Sequence, residues 1–365
     1  MNRFLYYLIF VNMAANMISA VSKILMDHRM AGTVTSILLS IIFGLILLYI
    51  NGKFFNQFPG KDFPALLKEH APSWMYWPLT VLIACVWFAA GLMTLITYSF
   101  MLKRFLTPDM PITWIASSFL IIVSFGILMN TKSVIYTVEN VLILSLPLVL
   151  FIVYKAFSND QFEWDFVREA IMHFNHLPDY SAFSAASFVF AGSSNMIIFN
   201  RVFTHTKIRV TWKQMCFVGV VGTFVLATLY LAPIGLNGFQ KIDHLVYPAI
   251  SASDTLRMEF GIIERVLYLF LPLFLAISFL NLLIHWHVAI ETCKNMIWFK
   301  KFEWKKNNLT PYLYLVIFWI ITLILVKTLS EYTLLLYSRY FYNLIPAMTP
   351  LFFFSFWIIK RRAKS

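Results

Sequence analysis

The sequence predicts an all-α membrane protein of ten transmembrane helices, arranged as two inverted sets of five, with helices 1 and 6 interrupted. Three observations predict it. Of 365 residues, 60% are hydrophobic and only 13% charged, about half the charged share of a soluble domain. Apolar runs of roughly 18 to 25 residues recur along the chain, each long enough to cross a hydrocarbon core about 30 Å thick. Two of these runs carry polar and small residues at mid-span, where lipid chemistry favours Leu and Ile.

The expected spans are Phe4–Met26, Thr33–Ile50, Tyr76–Leu102, Ile112–Met129, Val134–Phe157, Ser181–Phe203, Gln214–Leu236, Glu264–Ile290, Tyr312–Thr328 and Leu335–Ile359. Tyr6 to Leu25 continues without a small-residue cleavage pattern, so the first is read as a retained helix rather than a signal peptide. An even number of spans puts both ends on one side. The loops on that side would hold Arg3, Lys53, Lys61, Lys68, Lys132, Arg201, Lys207, Arg209, Lys213, Lys294, Lys300, Lys301, Lys305, Lys306 and the tail Lys360, Arg361, Arg362, Lys364. Those are 18 of the 29 basic residues, against the four acids Asp62, Glu69, Glu291 and Glu303. The excess marks that side, and with it the N- and C-termini, as cytoplasmic. It also accounts for the net charge of +12 without invoking nucleic acid.

The opposite side carries two longer connections, Ser158–Tyr180 and Asn237–Ile263. Phe162, Phe166, Ile171 and Phe174 in the first, and Leu256, Phe260 and Ile263 in the second, roughly follow helical spacing. Each connection is expected to lay a short amphipathic helix along the outer surface, its charges solvated.

The sixth span, SAFSAASFVFAGSSNMIIFNRVF, departs furthest from a plain anchor, with Ala191, Gly192, Ser193, Ser194 and Asn195 at its centre. A break there would free backbone groups at mid-membrane, which is tolerated only inside protein or against a cavity. The other reading is an unbroken helix whose small residues let a neighbour pack closely. Ten spans form two sets of five, and an odd number per set inverts the second relative to the first. The chain is then one domain over residues 1–365, with repeats at about 4–157 and 181–359, and helix 1 should be interrupted as helix 6 is. Its centre, VNMAANMISA, carries Asn12, Asn16 and Ser19, and Ala14–Ile18 echoes Ser193–Ile197. That shared polarity favours the cavity reading.

The candidate ligand-binding residues follow: Asn12, Ala15, Asn16 and Ser19 from helix 1, and Ala191, Gly192, Ser193, Ser194 and Asn195 from helix 6. Half-helix N-termini would attract a carboxylate, and freed carbonyls an ammonium or a Na⁺. Helix 3 would wall the pocket with Trp87, Gly91 and Thr94; packing or lipid contact is the alternative for Trp87, and interhelical hydrogen bonding for Asn16 and Asn195. Glu139 is the one carboxylate well inside a span, a proton-relay candidate that could instead pair with a basic residue or snorkel. His285 and His287, at i and i+2, point apart and cannot form a metal-binding pair; an interfacial belt is expected. Lys327 and Arg339 would anchor the last outer turn, and Pro147, Pro272, Pro346 and Pro350 would kink their helices. Cys85, Cys216 and Cys293 lack disulfide or metal spacing and read as small packing residues. There is no P-loop, catalytic carboxylate pair or nucleophile elbow, and no extramembrane segment long enough for a catalytic domain. An enzyme, a cofactor and a metal site are not expected.

FNQFPGKDF (Phe55–Phe63) after the second span resembles the Arg-Phe-Pro-Gly-Lys-Thr-Leu-type signature of the spore germination permease family, the B subunits of germinant receptors. Thr107-Pro108 before the fourth span is similar to that family's Thr-Pro pattern. Tyr247-Pro248, Arg257, Phe260-Gly261 and Glu264-Arg265 are similar to its Tyr-Pro and Glu-Arg patterns. The resemblance covers most of the chain in length, span count and motif order. It implies the ten-helix amino acid/polyamine/organocation transporter fold (LeuT-like), with a small nutrient such as an amino acid held between helices 1 and 6. In spore formers it also implies assembly with a partner membrane subunit and a lipoprotein in the inner spore membrane. The chain departs from the family in both ligand helices: Gly192-Ser193-Ser194 replaces a Gly-Phe-Glu-like stretch, and Ala14-Ala15 stands where a glycine is common. Two functions are compatible with this reading, a germinant-sensing subunit and an H⁺- or Na⁺-coupled amino acid transporter; a channel component with a vestigial pocket is a third.

Overall fold

The computed structural model describes residues 3–204, 210–258, 264–297, 299, 302–304 and 307–363. Among them seven helices are long and apolar enough to cross a membrane: α3 (Thr33–Phe55), α5 (Ser73–Phe105), α7 (Thr131–Phe157), α11 (Trp212–Asn237), α13 (Leu267–Met296), α14 (Thr310–Thr328) and α15 (Glu331–Arg362). Two bent pairs bring the number to nine. The first joins α1 (Arg3–Ala15) to α2 (Ala20–Asp27) at 59°, the second α9 (Tyr180–Phe188) to α10 (Ala191–Val202) at 55°. A shorter apolar helix, α6 (Ile112–Ile127), has 16 residues. The chain is a multi-pass membrane protein.

Local chemistry sets the ends of these elements. Asn130, Asp179 and Ser330 cap α7, α9 and α15 by accepting from the backbone N–H groups of Ser133, Ala182 and Thr333. The helices begin and end within a few residues of the expected spans, but α3 runs on to Phe55 and so includes Asn51 and Gly52. In the chain's second loop, Asp62 accepts from Ala65 N and starts α4 (Phe63–His70), a helix that the sequence reading did not anticipate. Gly60 turns the chain there at φ +79°, in the left-handed region.

The bundle has two recognisable ends. At the end carrying the first and last described residues, Arg3 pairs with Glu139, Phe4 packs against Phe203, and Phe54 stacks on Phe356 with ring centroids 4.0 Å apart. At the opposite, far end, Arg104 pairs with Glu331 at 2.7 Å and Arg29 with Asp243. α13 is the central helix: 67% of its most apolar window is buried, against 33% for α3, α7 and α14. A helix apolar on all sides belongs inside.

Several expectations are corrected by this packing. His285 and His287 lie on the central helix and are buried rather than interfacial; a ring nitrogen of His287 meets the Thr131 hydroxyl at 3.0 Å. Arg339 does not anchor a lipid interface but reaches inward to Ser181 (3.2 Å) and His28. Cys85 and Cys216 are exposed on the outside of the bundle instead of packed. Gly91 packs against Trp286: a Cβ there would lie 2.3 Å from the indole. In the first long connection the helix is α8 (Trp164–Met172), and Val167 and Ala170 are its buried face while Phe166, Ile171 and Phe174 are exposed. In the second, α12 (Pro248–Thr255) precedes the expected stretch; Leu256 is already extended, and Arg257 bridges to Arg265. Phe260 and Ile263 of that stretch, the Phe260-Gly261 motif, and Lys207, Arg209, Lys300, Lys301, Lys305, Lys306 and Lys364 lie outside the described residues.

Candidate functional site

The first break falls on the polar centre of its span, and the second at Val189–Phe190, immediately before Ala191–Asn195. α1 ends at Ala15 and α2 starts at Ala20, so Asn16–Ser19 form the gap. The side chains of the gap satisfy its backbone. Asn16 Nδ2 donates to the Asn12 carbonyl (2.7 Å), Ser19 Oγ donates to Asn16 O and Oδ1 (3.1 and 3.0 Å), and Ser19 Oγ caps α2 by accepting from Val21 N. In the second pair, α9 ends at Phe188 and α10 begins as 3₁₀ turns over Ala191–Asn195 before a short α stretch, Met196–Phe199.

The two breaks meet through Asn12. Fully buried, it donates from Nδ2 to the carbonyls of Phe188 (2.7 Å) and Val189 (3.0 Å), at the C-terminal end of α9. Free carbonyls at a buried helix end need such a partner. Close packing accompanies the break: a Cβ on Gly192 would stand 2.5 Å from the Leu8 carbonyl and 2.7 Å from Ile9 Cα, so α10 touches the α1 backbone. The sixth span is interrupted rather than unbroken, and Gly192 beside the break also lets α1 approach closely.

Two hollows flank this contact. The larger encloses about 660 Å³ of empty space, part of it open to the outside, and takes Ala191, Ser194 and Asn195 from α10, Trp87 from α5, Asn51 from α3 and His285 from α13. Its polar wall is internally bonded. Trp87 Nε1 donates to Asn195 Oδ1 at 2.7 Å, and Asn51 Nδ2 donates to the hydroxyls of Ser193 (3.1 Å) and Ser194 (3.4 Å). The smaller hollow, about 390 Å³, takes Ala15, Asn16 and Ser19 from the first break, Thr94 and Tyr98 from α5, Asn281 from α13, and Ser338 and Tyr342 from α15. Ala90, Phe188 and Phe341 wall both. The Phe188 and Phe341 rings lie edge to face, 5.7 Å between centroids.

The expected site residues therefore divide. Ala191, Ser194, Asn195 and Trp87 line the larger hollow, and Ala15, Asn16, Ser19 and Thr94 the smaller. Asn12 fastens the two breaks together, Gly192 sits at the α1–α10 crossing, and Ser193 is buried against Asn51. Glu139 is away from both hollows, 3.4 Å from Arg3 Nη1, and accepts from Tyr7 Oη at 3.2 Å. It ties α1 to α7, which is the pairing alternative. Neither hollow is lined by an Asp, Glu, Lys or Arg among the described residues. Asn281 Oδ1, in the smaller hollow, is buried with no hydrogen-bond partner.

Sequence reasoning missed Asn51, His285, Asn281 and the α15 wall. Asn51-Gly52 has the composition of a turn, which cut the second span one residue short of it. In α15 the run Ser338–Asn343 is polar for a span and was a usable signal.

The end of α10 on the side of the first and last described residues grips the loop that carries the Phe-Pro-Gly-Lys stretch. Asn200 Nδ2 donates to the carbonyls of Phe58 and Lys61 (both 2.7 Å), and Arg201 forks between Asp62 and Glu291. The Tyr-Pro and Glu-Arg stretches lie at the far end, where Tyr247 is buried and Arg257 pairs with Glu264 at 2.7 Å.

Long apolar helices with two broken ones meeting beside these hollows define a multi-pass membrane protein with an interrupted-helix centre. The particular family is set by sequence: residues 5–331 match the model of the spore germination protein family, the spore permeases. The chain belongs to that family, a family of permeases and not of enzymes. No curated protein matches it.

Proposed function

We propose that the chain is the permease-like subunit of a spore germinant receptor, which binds a small nutrient such as an amino acid between the two broken helices and so triggers germination. The observation that carries this reading is the junction of the breaks, where Asn12 joins α1 to the freed end of α9 beside two hollows, the smaller walled by both pairs and the larger by the second. The bent pairs open the two halves of a ten-helix inverted repeat of the LeuT-like type, with α6 as the fourth span. A charge without a partner is expensive to bury, and no ionised wall residue is available. A ligand with no net charge, such as a zwitterion complemented by helix-end dipoles, fits that environment.

Binding shifts an equilibrium between two packings of the bundle, by no more than the ligand's preference for one of them. A partner membrane subunit and a lipoprotein in the inner spore membrane would read the shift, with the termini and the basic loops in the cytoplasm. The test is ligand-dependent germination with Ser194→Leu and Asn16→Leu, one in each hollow. Both should lose the response to amino acids at normal membrane levels. Unchanged sensitivity in both removes the site, and gradient-driven accumulation by vesicles holding this chain alone makes it a transporter instead.

A further inference from the structure

Behind the first break lies a third cavity, of about 470 Å³, which shares no wall with either hollow. Its walls come from α7 (Ile152, Ala156), α11 (Leu229, Ala232), α12 and α13, with Met17 from the gap closing one side. We propose that this cavity is a binding site for a single aliphatic chain, the tail of a membrane lipid or of a free fatty acid.

Three observations select hydrocarbon. Among the described residues the side-chain polar groups in the wall belong to Thr228 and Ser253 alone, and both hydroxyls donate, to Phe224 O at 2.9 Å and to Ile250 O at 2.7 Å. No side-chain donor is left in this wall for an anion or a carbonyl. The space of about 470 Å³ includes the part open to the outside, so it is a channel with a mouth rather than a sealed void. Lastly, the walls are buried except Leu236 and Ala249, at the far end of α11 and the start of α12, which marks the mouth. A chain entering there runs inward among apolar side chains and leaves its polar head outside.

The cavity is wired to the hinge. Met17 belongs to the gap between α1 and α2, and Ser22 Oγ on α2 donates to the carbonyl of the wall residue Leu229 at 3.1 Å. An occupant braces α11 and Met17 in the arrangement seen, so it favours this position of α2. Binding of the chain is independent of the nutrient site; only its effect on nutrient response rests on the function proposed above.

The test is photolabelling of the full-length protein in liposomes, with diazirine-bearing palmitate in one arm and a diazirine-bearing phosphatidylcholine in the other, mapped by peptide mass spectrometry. Label on peptides holding Met17, Ala156 or Leu229 is expected in at least one arm, and the arm that labels identifies the source. Ala232→Phe, or the milder Ala252→Leu, should remove that label while leaving it on the outward-facing Leu148 and Phe151. Label confined to Leu148 and Phe151 in the unaltered protein overturns the proposal without any variant. So does wall label that persists after filling.

Discussion

Replacing Asn12 with Ala tests the join between the two breaks directly. The side chain is fully buried, and its amide donates at 2.7 and 3.0 Å to the Phe188 and Val189 carbonyls. Truncation removes both bonds and leaves two acceptors in a dry helix junction. Interhelical hydrogen bonds inside membrane proteins are worth about 0.6 kcal/mol on average and about 1.7 at most. Two of them give a loss of roughly 1 to 3.5 kcal/mol, and the vacated volume adds a cavity term. Asn12→Leu separates the two contributions: it keeps the volume and removes the donor, so it should retain most of the loss. The assay is equilibrium unfolding of purified protein in mixed detergent, followed by tryptophan fluorescence. A destabilisation of about 1 kcal/mol or more in both variants is expected. If Asn12→Leu is as stable as the unaltered chain, the α9 carbonyls do not depend on Asn12, and the account of how the breaks are held together is wrong.

Gly192→Ala should destabilise by about 1 to 3 kcal/mol, the usual cost of overpacking, because the added Cβ meets the Leu8 carbonyl at 2.5 Å; a neutral effect in the same unfolding assay would contradict the close crossing of α1 and α10. Arg201→Ala takes the guanidinium from Asp62 and leaves Glu291 to Lys294; the two carboxylate side chains are 8% and 14% exposed. With Arg201 itself 29% exposed, a loss of about 1 to 3 kcal/mol is expected, below the range for fully buried pairs; Arg201→Lys should recover only part of it, since an ammonium lacks the rigid planar fork of a guanidinium. His28, which caps α2 at the far end, lies between Asp179 (3.2 Å from Nδ1) and the Arg339 guanidinium. Burial holds its pKa below the ordinary 6.5, Arg339 adds to the fall, and Asp179 and Asp27 oppose it. The unfolded chain therefore takes up this proton first. The stability that the neutral imidazole supplies is complete above about pH 6.5 and declines as pH drops through the lowered folded value. Thermal midpoints measured from about pH 7 down to about pH 5 should fall less steeply in His28→Gln than in the unaltered protein; parallel curves would exclude this role for His28.

What the sequence disclosed follows from the kind of signal each feature leaves. Span existence rests on composition over many residues, so a few misplaced ends do not disturb it. The breaks were legible for a similar reason: Asn12–Ser19 and Ala191–Asn195 put polarity where a lipid-exposed helix cannot keep it. The partners of those residues were not legible, because which face of α3 or α15 meets the break depends on helix rotation. Asn51 reaches the site by packing, with no local pattern that says so, and the polar run that holds Ser338 and Tyr342 does not say which of its residues face the break. The two histidines show the same limit from the other side. Their position near a span end suggested an interface, whereas His285 and His287 are enclosed because α13 is the helix around which the others pack. A missed signal is more instructive at α4, where Asp62 followed by Phe63-Pro64 is a helix start by any capping argument. That capping carboxylate also accepts from Arg201 at the end of α10, while Asn200 beside it holds the loop's carbonyls. Movement of α10 at the hollow cannot leave this loop behind without breaking charged and neutral bonds together, so the Phe55–Phe63 stretch is mechanically part of the broken helix.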